Sequence, residues 1–436
     1  MRTDRHPEAH LERDPRVLLA GASARVPEAV PAVAASKTAA PPAPAPALDR
    51  PRVTALLEAA CARPLTVVAA PAGSGRTVAL AAWAAATRAP VAWLSLDEGD
   101  DDPRRLWVHL LAALERVRPG VTRPAGRALW ADLDLGRRVL PLTADAFAEA
   151  ARIPGPPGAT DVPLSVVLVL DDVHRLRSPV AWRLLRGLLD QAPTSLRVVV
   201  SGRTAPPLRT VRRRVAGQLA SVDADDLAFT PEETTAYLVG LRGLRLDEPW
   251  VAAAHDRTAG WPAGLALLAG TTPSDPGRAR FAEALDDTDA ATAGYVEEEV
   301  LEPASPALRR VLVRASVLHH PTGPLCAAVL DDPTAAGLLV DAREAGLLVH
   351  RGPEERWRAP FGDALRRILG EREPDVVGVL HARAVDACVA AGRIGEAIAH
   401  ATAAGDPVRA AALGEAHVRA LGVRPAVAVE DGADPH

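Results

Sequence analysis

The residues best suited to chemistry sit in one short turn, Ala70-Pro71-Ala72-Gly73-Ser74-Gly75-Arg76-Thr77. It follows the β-branched run LTVVAA (Leu65 to Ala70) and leads into the helix-forming VALAAWAAA, so it reads as strand, turn, helix. Backbone N–H groups of such a turn, with the helix N-terminus behind them, converge on an anion, and its glycines let a phosphate approach closely. The spacing fits the phosphate-cradling pattern of a small residue, four more, then Gly-Lys-Ser/Thr, except that Arg76 stands in the lysine position. Arginine is planar and prefers bidentate geometry, so the site is expected to hold nucleotide and to turn it over slowly or not at all. The expected phosphate contacts are Ala72, Gly73, Ser74, Gly75, Arg76 and Thr77.

A second constellation lies about a hundred residues on. The apolar run SVVLVL (Ser165 to Leu170) ends in Asp171 and Asp172, the way an acid is delivered to Mg²⁺ opposite a threonine hydroxyl. Asp171 with Thr77 is the expected metal pair, and Asp172 is placed to orient an attacking water. Alone, two acids after a strand serve equally well as helix caps or solvated groups. Arg203, in SGRTAPPL after the next strand, could reach a terminal phosphate, or be an ordinary loop arginine. The cluster Arg209, Arg212, Arg213, Arg214 has no interleaved aromatics and reads as a solvated helix face before a nucleic-acid patch. His319 and His320 read as loop residues.

Elements that would position these groups alternate along the chain. Strands at Leu65–Ala70, Val91–Leu96, Ser165–Leu170 and Leu196–Val200 are separated by helices at about Pro103–Val117, Thr143–Ile153 and Val180–Gln191, which specifies an α/β layer with a parallel sheet. Arg50 to Ala62 forms a short amphipathic helix ahead of the first strand. Beyond about residue 223 strand signals stop. Thr230 caps a helix opened by Pro231, with Glu233 completing a capping box. Further helices are expected at Trp250–Thr258, Pro262–Leu268, Tyr295–Leu301, Ala307–Ala315 and Thr334–Val349. HRGPEERWRAP then looks like a hairpin around Gly352 and Pro353, and Val376–Ala412 like helix hairpins punctuated by Gly392 and Gly405.

At 436 residues the chain has room for about three domains. Only 3% of it is aromatic, so the core is built from Leu, Val and Ala, which suits helical layers better than a β-sandwich. A net charge of −5 advertises neither a nucleic-acid nor a membrane surface. Lys37 is the only lysine. Three scattered cysteines, Cys61, Cys326 and Cys388, fit neither a disulfide framework nor a zinc site, and the chain has no run of 18 apolar residues, so a cytoplasmic protein is expected. Residues 1–48 end in a Pro/Ala-rich stretch and are expected to be a disordered tail, and the last residues to be a frayed end.

Taken together, RPRVTALLEAA, APAGSGRT, VAWLSLDEGDDDP, LVLDDVHRL, SGRTAPPL, GQLASVDADDLAFTPEET, TAGWPAGLALL, ASVLHHPTGPLCAAVL and AAGRIGEAIAHATAAGD resemble, in order and over most of the chain, the large LuxR-type, maltose-activator-like regulators of the STAND class of P-loop ATPases. The resemblance implies an AAA+-like nucleotide domain over 49–225, a helical lid over 226–302, a winged helix over 303–372 and the start of a TPR-like helix-hairpin array over 373–436. It implies ATP/ADP clamped with Mg²⁺ between sheet and lid, Pro262 of GWPAG packing on the base, Arg50 bordering the pocket, and a transcriptional or signalling switch that nucleotide exchange drives into self-association or a partner. Two departures from the family pattern accompany Arg76. WRAPF (Trp357 to Phe361) lacks the histidine of the usual winged-helix string, and no helix-turn-helix string follows the array, so direct DNA binding by this chain is not expected. Two other classes remain open: an interaction scaffold whose nucleotide site has decayed, and a metabolic P-loop kinase, against which stands the lack of an acceptor-site signature.

Overall fold

The computed structural model describes residues 33–42, 47–131, 134–152, 166–351 and 354–420. Its frame is a five-stranded parallel sheet of β1 (Leu65–Ala69), β2 (Val91–Ser95), β3 (Val166–Asp171), β4 (Leu196–Gly202) and β5 (Leu219–Val222), in the order β2-β3-β4-β1-β5. Every residue of β3 is buried, as expected of an apolar run covered on both faces. Register sets the site: Ala69 pairs with Gly202 and Ser95 with Asp171. The carboxyl ends of β1, β3 and β4 therefore finish along one edge, where the 70–77 turn, the 171–172 acids and Arg203 emerge.

A four-residue helix, α1 (Ala35–Thr38), precedes α2 (Pro51–Ala60), and α3 (Arg76–Ala86) follows the phosphate-type turn. Leu57, Leu80 and Trp83 of α2 and α3 share a core with Val68, Val167, Val169 and Val199 on one sheet face. The opposite face is covered by α4 (Pro103–Val117), α5 (Arg123–Trp130), α6 (Leu140–Arg152) and α7 (Pro179–Gln191), whose Trp107, Leu110, Phe147 and Leu185 pack on Leu94, Leu168 and Val198. Each fully buried side chain of that size contributes about 1.5–3 kcal/mol, so both faces hold the sheet edge rigid. The 1–48 segment needs a correction. Residues 33–42 are ordered against the sheet, because Lys37 pairs with Asp97 and, at 2.7 Å, with the fully buried Asp100. Residues 1–32, 43–46 and 153–165, and those from 421 on, where the frayed end is expected, lie outside the described residues.

The helix α8 (Thr210–Val215) leads into β5, and after it come α9 (Ala224–Leu227) and α10 (Pro231–Thr235). The Thr230 hydroxyl accepts from the Glu233 amide at 3.1 Å and Glu233 accepts from the Thr230 amide at 3.1 Å, the reciprocal cap expected there. Next are α11 (Glu248–Thr258), α12 (Pro262–Thr271) and α13 (Arg278–Val296), which runs into a π turn at Glu297–Leu301. The helix expected at Tyr295–Leu301 is thus the end of a longer one. Beyond it lie α14 (Pro306–Ala315), α15 (Gly323–Leu330), α16 (Ala335–Glu344) and an antiparallel pair, β6 (Leu348–Arg351) with β7 (Glu354–Trp357). The helix expected over Thr334–Val349 ends early, because Gly346 takes a left-handed backbone (φ 71°) and sends the chain into β6. α17 (Ala359–Arg372), α18 (Pro374–Ala390), α19 (Ile394–Ala403) and α20 (Pro407–Ala420) complete the described chain, with Gly392 and Gly405 both at positive φ between them. One hydrophobic core runs from Trp261 through Leu312, Phe361 and Cys388 to Ala401, tying lid, winged helix and hairpins together. Among the described residues no helix is long and apolar enough to cross a membrane.

Candidate functional site at the carboxyl edge of the sheet

The 70–77 turn needs glycine at two places. Gly73 (φ 72°) and Gly75 (φ 76°) hold left-handed backbones, and a Cβ on Gly73 would lie 2.6 Å from the Ala263 Cβ and 2.7 Å from the Trp261 ring. The start of α12, residues 261–263, therefore rests directly on the turn. Trp261 Nε1 donates to the Ala72 carbonyl at 3.1 Å and the Ala263 amide to the Gly73 carbonyl at 3.1 Å. Pro262, between them, faces Gly75. Trp261 in turn packs against Phe361 of the winged helix and Tyr295 of α13, with ring centres 5.2 and 5.3 Å apart. One tryptophan thus links the turn to α13 and α17.

Inside the turn, Arg76 is buried and folds back on its own loop. Its guanidinium donates to the Ala70 carbonyl and, at 3.2 Å, to that of Pro71, and lies 3.5 Å from the Asp172 carboxylate. Burial pulls it below the ordinary guanidinium value, and the charges of Asp172 and Asp171 oppose that. The Thr77 hydroxyl donates to Asp171 at 2.8 Å. Burial, then the neighbouring Asp172 charge, push Asp171 above the usual carboxylate range. Asp172 itself has a left-handed backbone (φ 60°) and faces His174, 3.6 Å from Nδ1. Burial lowers the His174 imidazole to about 4, so it is neutral at pH 7.

Arg203 meets the lid side of the crevice: its guanidinium donates to the Glu299 carbonyl and carboxylate, on the π turn that ends α13. Arg50 is held by the chain that follows β5. It donates to the Leu227 and Ala228 carbonyls at 2.9 and 2.8 Å and to Glu233 at 2.8 Å, over the Phe229 ring, and so braces the chain that leads into the lid. The structure brings Arg76, Thr77, Asp171, Asp172 and Arg203 together. Four contributors went unread in the sequence. Trp261 and Ala263 flank the noticed Pro262, His174 lies in LVLDDVHRL, and Glu299, in an acid-rich helix end, carries no signal of its own.

Whether the crevice suits a phosphate with a divalent ion is tested by its unpaired groups. Of the eight buried side-chain nitrogen and oxygen atoms without a partner among the described residues, Arg76 Nε, His174 Nδ1, Ser201 Oγ and Arg203 Nε are here. Such atoms cost about 1–3 kcal/mol each when left unbonded, so their gathering at one edge marks a place built for a polar ligand. Donors on two arginines fit an anion, and the Thr77–Asp171 pair offers a hard cation two oxygens.

The winged-helix region agrees with known sequences. A family model described as the MalT winged helix domain matches residues 297–377. The chain is 31% identical over 378 residues to the serine/threonine-protein kinase PknK of Mycobacterium tuberculosis, covering 84% of this chain and 33% of that protein. It is 30% identical over 371 residues to the HTH-type transcriptional regulator MalT of Cronobacter sakazakii, covering 82% of this chain and 39% of that one. It thus spans 33% to 39% of the length of these curated relatives. Among solved structures, the Walker-type ATPase paby2304 of Pyrococcus abyssi shares the fold, with a TM-score of 0.54 at 15% identity over 74% of this chain and 97% of that one. The chain is MalT-like, by its winged helix and by its similarity to MalT over most of its length, and its sheet shares the fold of a Walker-type ATPase.

Proposed function

We propose that this MalT-like STAND-class chain is a regulatory switch gated by ATP and ADP, with slow or absent hydrolysis, acting in the cytoplasm. The observation that carries the reading is the lid's seat. Trp261 and Ala263 bond to carbonyls of the 70–77 turn while Arg203 is tied to Glu299, so the groups that would meet phosphate are those that hold the lid. Backbone amides of Ala72 to Thr77 and the Arg76 guanidinium would hold the phosphates, and Thr77 with Asp171 would hold Mg²⁺, which supplies charge neutralisation when bound. Pro262 and, through its brace on the lid's root, Arg50 would border the base.

Asp172 is the residue to orient a water, and Arg203 the one to answer charge on a terminal phosphate. In the present arrangement Arg76 and His174 flank Asp172 and Glu299 engages Arg203, which supports slow turnover. A triphosphate that draws Arg203 away from Glu299 releases the π turn, and with it the winged helix, toward a protein partner or a second copy. Hydrogen exchange tests this in the intact chain. MgATP is expected to speed exchange at 261–263 and 299–301 relative to MgADP; equal protection in both, with both nucleotides bound, would overturn the switch.

A further inference from the structure

The other end of the sheet carries a feature that the nucleotide reading does not use. A groove of about 820 Å³ opens where the chain enters β1, β4 and β5, beside Pro64, Thr194 and Gln218, opposite the end that bears the 70–77 turn. Its walls are α7 and the segment 208–216, and they present Arg183, Arg186, Arg209, Arg212 and Arg213 with one acid, Asp190. Asp190 pairs with Arg213 at 2.7 Å. Of the other four, Arg183, Arg209 and Arg212 are exposed and Arg186 is half-buried, and none pairs with an acid among the described residues of a chain whose net charge is −5. Leu189, Leu196 and Leu208 lie beneath the groove, almost buried in the sheet core, and among the described residues no aromatic ring lines it. Just outside, α8 exposes Val211 and Val215, at 75% and 86%, among the most exposed large apolar residues described.

We infer that this groove is a docking site for an acidic, leucine-type segment of a partner protein. The two halves of the recognition are separate. Guanidiniums on the rim take carboxylates in paired hydrogen bonds, and the exposed valines of α8 take the apolar side chains between them. A single-stranded nucleic acid would supply the anions, yet its bases find no ring to stack on and its backbone has nothing for the valines. The cluster read in the sequence as a solvated helix face is, in space, one wall of a basic groove whose other wall comes from a helix twenty residues earlier.

The probe is a short fluorescein-labelled peptide of alternating glutamate and leucine, titrated with the intact chain and followed by anisotropy. Saturable binding is expected, weakened about tenfold or more in the double variant Arg183→Glu with Arg212→Glu and kept in Arg183→Lys with Arg212→Lys. Both positions are exposed, so the variants should fold, and unchanged thermal unfolding checks it. Replacing the leucines of the peptide by serine should cost a similar factor. Several outcomes would overturn the inference: no saturable binding, equal binding of the serine peptide, tighter binding of an oligothymidylate of equal charge, or a self-association of the parent chain that the glutamate variant abolishes without any peptide binding. None of these readouts involves the phosphate turn, so failure here leaves the switch reading standing, and the reverse.

Discussion

The two ends of the parallel sheet handle arginine in opposite ways. At the carboxyl end, Arg76 and Arg203 are folded onto carbonyls and carboxylates of the protein itself, with only their Nε atoms unanswered. At the amino end, four of five groove arginines have no acidic partner among the described residues, and three of them, Arg183, Arg209 and Arg212, are exposed. The first arrangement stores its charge inside a closed crevice whose cover is another domain. The second keeps charge in reserve for something that arrives. Burial decides the difference. A guanidinium taken out of water must be bonded, and the bonds at the carboxyl end come from the 70–77 turn and Asp172 for Arg76 and from Glu299 for Arg203.

The sharpest break of this comparison comes from Gly73→Ala. The added methyl meets Trp261 and Ala263, and alanine resists φ 72°, so the closed lid should lose roughly 3 kcal/mol and Ala263 its slow amide exchange. Gly270→Ala, at the far end of the same lid helix with open space around it, should be neutral or gain up to about 1 kcal/mol in thermal unfolding. Next in size is Asp171→Asn. Magnesium-dependent nucleotide affinity is expected to fall about 100-fold or more by titration calorimetry. Stability of the nucleotide-free protein should move the other way. A carboxyl whose folded value is raised is disfavoured once ionised, a cost present above that value, so the amide should raise the melting temperature at pH 7.

Smaller, and confined to acid, is the effect of His174. Its folded value, about 4, lies below the ordinary 6.5, so the stability it contributes is full above pH 6.5 and lost as pH falls toward 4. Comparison of urea unfolding for the parent and His174→Gln across that window should show about 2 kcal/mol less acid dependence in the variant. Smallest is Glu299→Gln. The Arg203–Glu299 pair is partly exposed, at 26% and 44%, and is worth about 1 kcal/mol at most, so the variant should bind MgATP only a few-fold more tightly.

Much of this was readable from the residues. The apolar run of β3, the glycines of the turn, the Thr230–Glu233 cap and the Gly392 and Gly405 breaks are local signals, and local chemistry fixes them. What escaped reading depends on distant partners. The first part of α13, from Arg278, has little apolar period because it buries small residues such as Ala284, Thr288 and Thr292. Glu299 looks like any solvated acid until the fold brings it against a residue 96 positions away. Lys37, in a proline-rich setting, is ordered by Asp100 across the sheet edge. Arg50 bordering the pocket is implied by the family resemblance, and its partners, Glu233 and the Leu227 and Ala228 carbonyls, lie 177 to 183 positions away, where no local signal could show them.

The central claim is that a phosphate turn with arginine in the lysine position still holds nucleotide. Titration calorimetry of MgATP and MgADP into the intact chain, beside Thr77→Val and Arg76→Lys, tests it most directly. Saturable, magnesium-dependent binding by the parent, lost in Thr77→Val and strengthened in Arg76→Lys, is the predicted result. No heat of binding for either nucleotide in the parent, appearing only when lysine is restored, would contradict it and leave a scaffold whose crevice serves the lid alone.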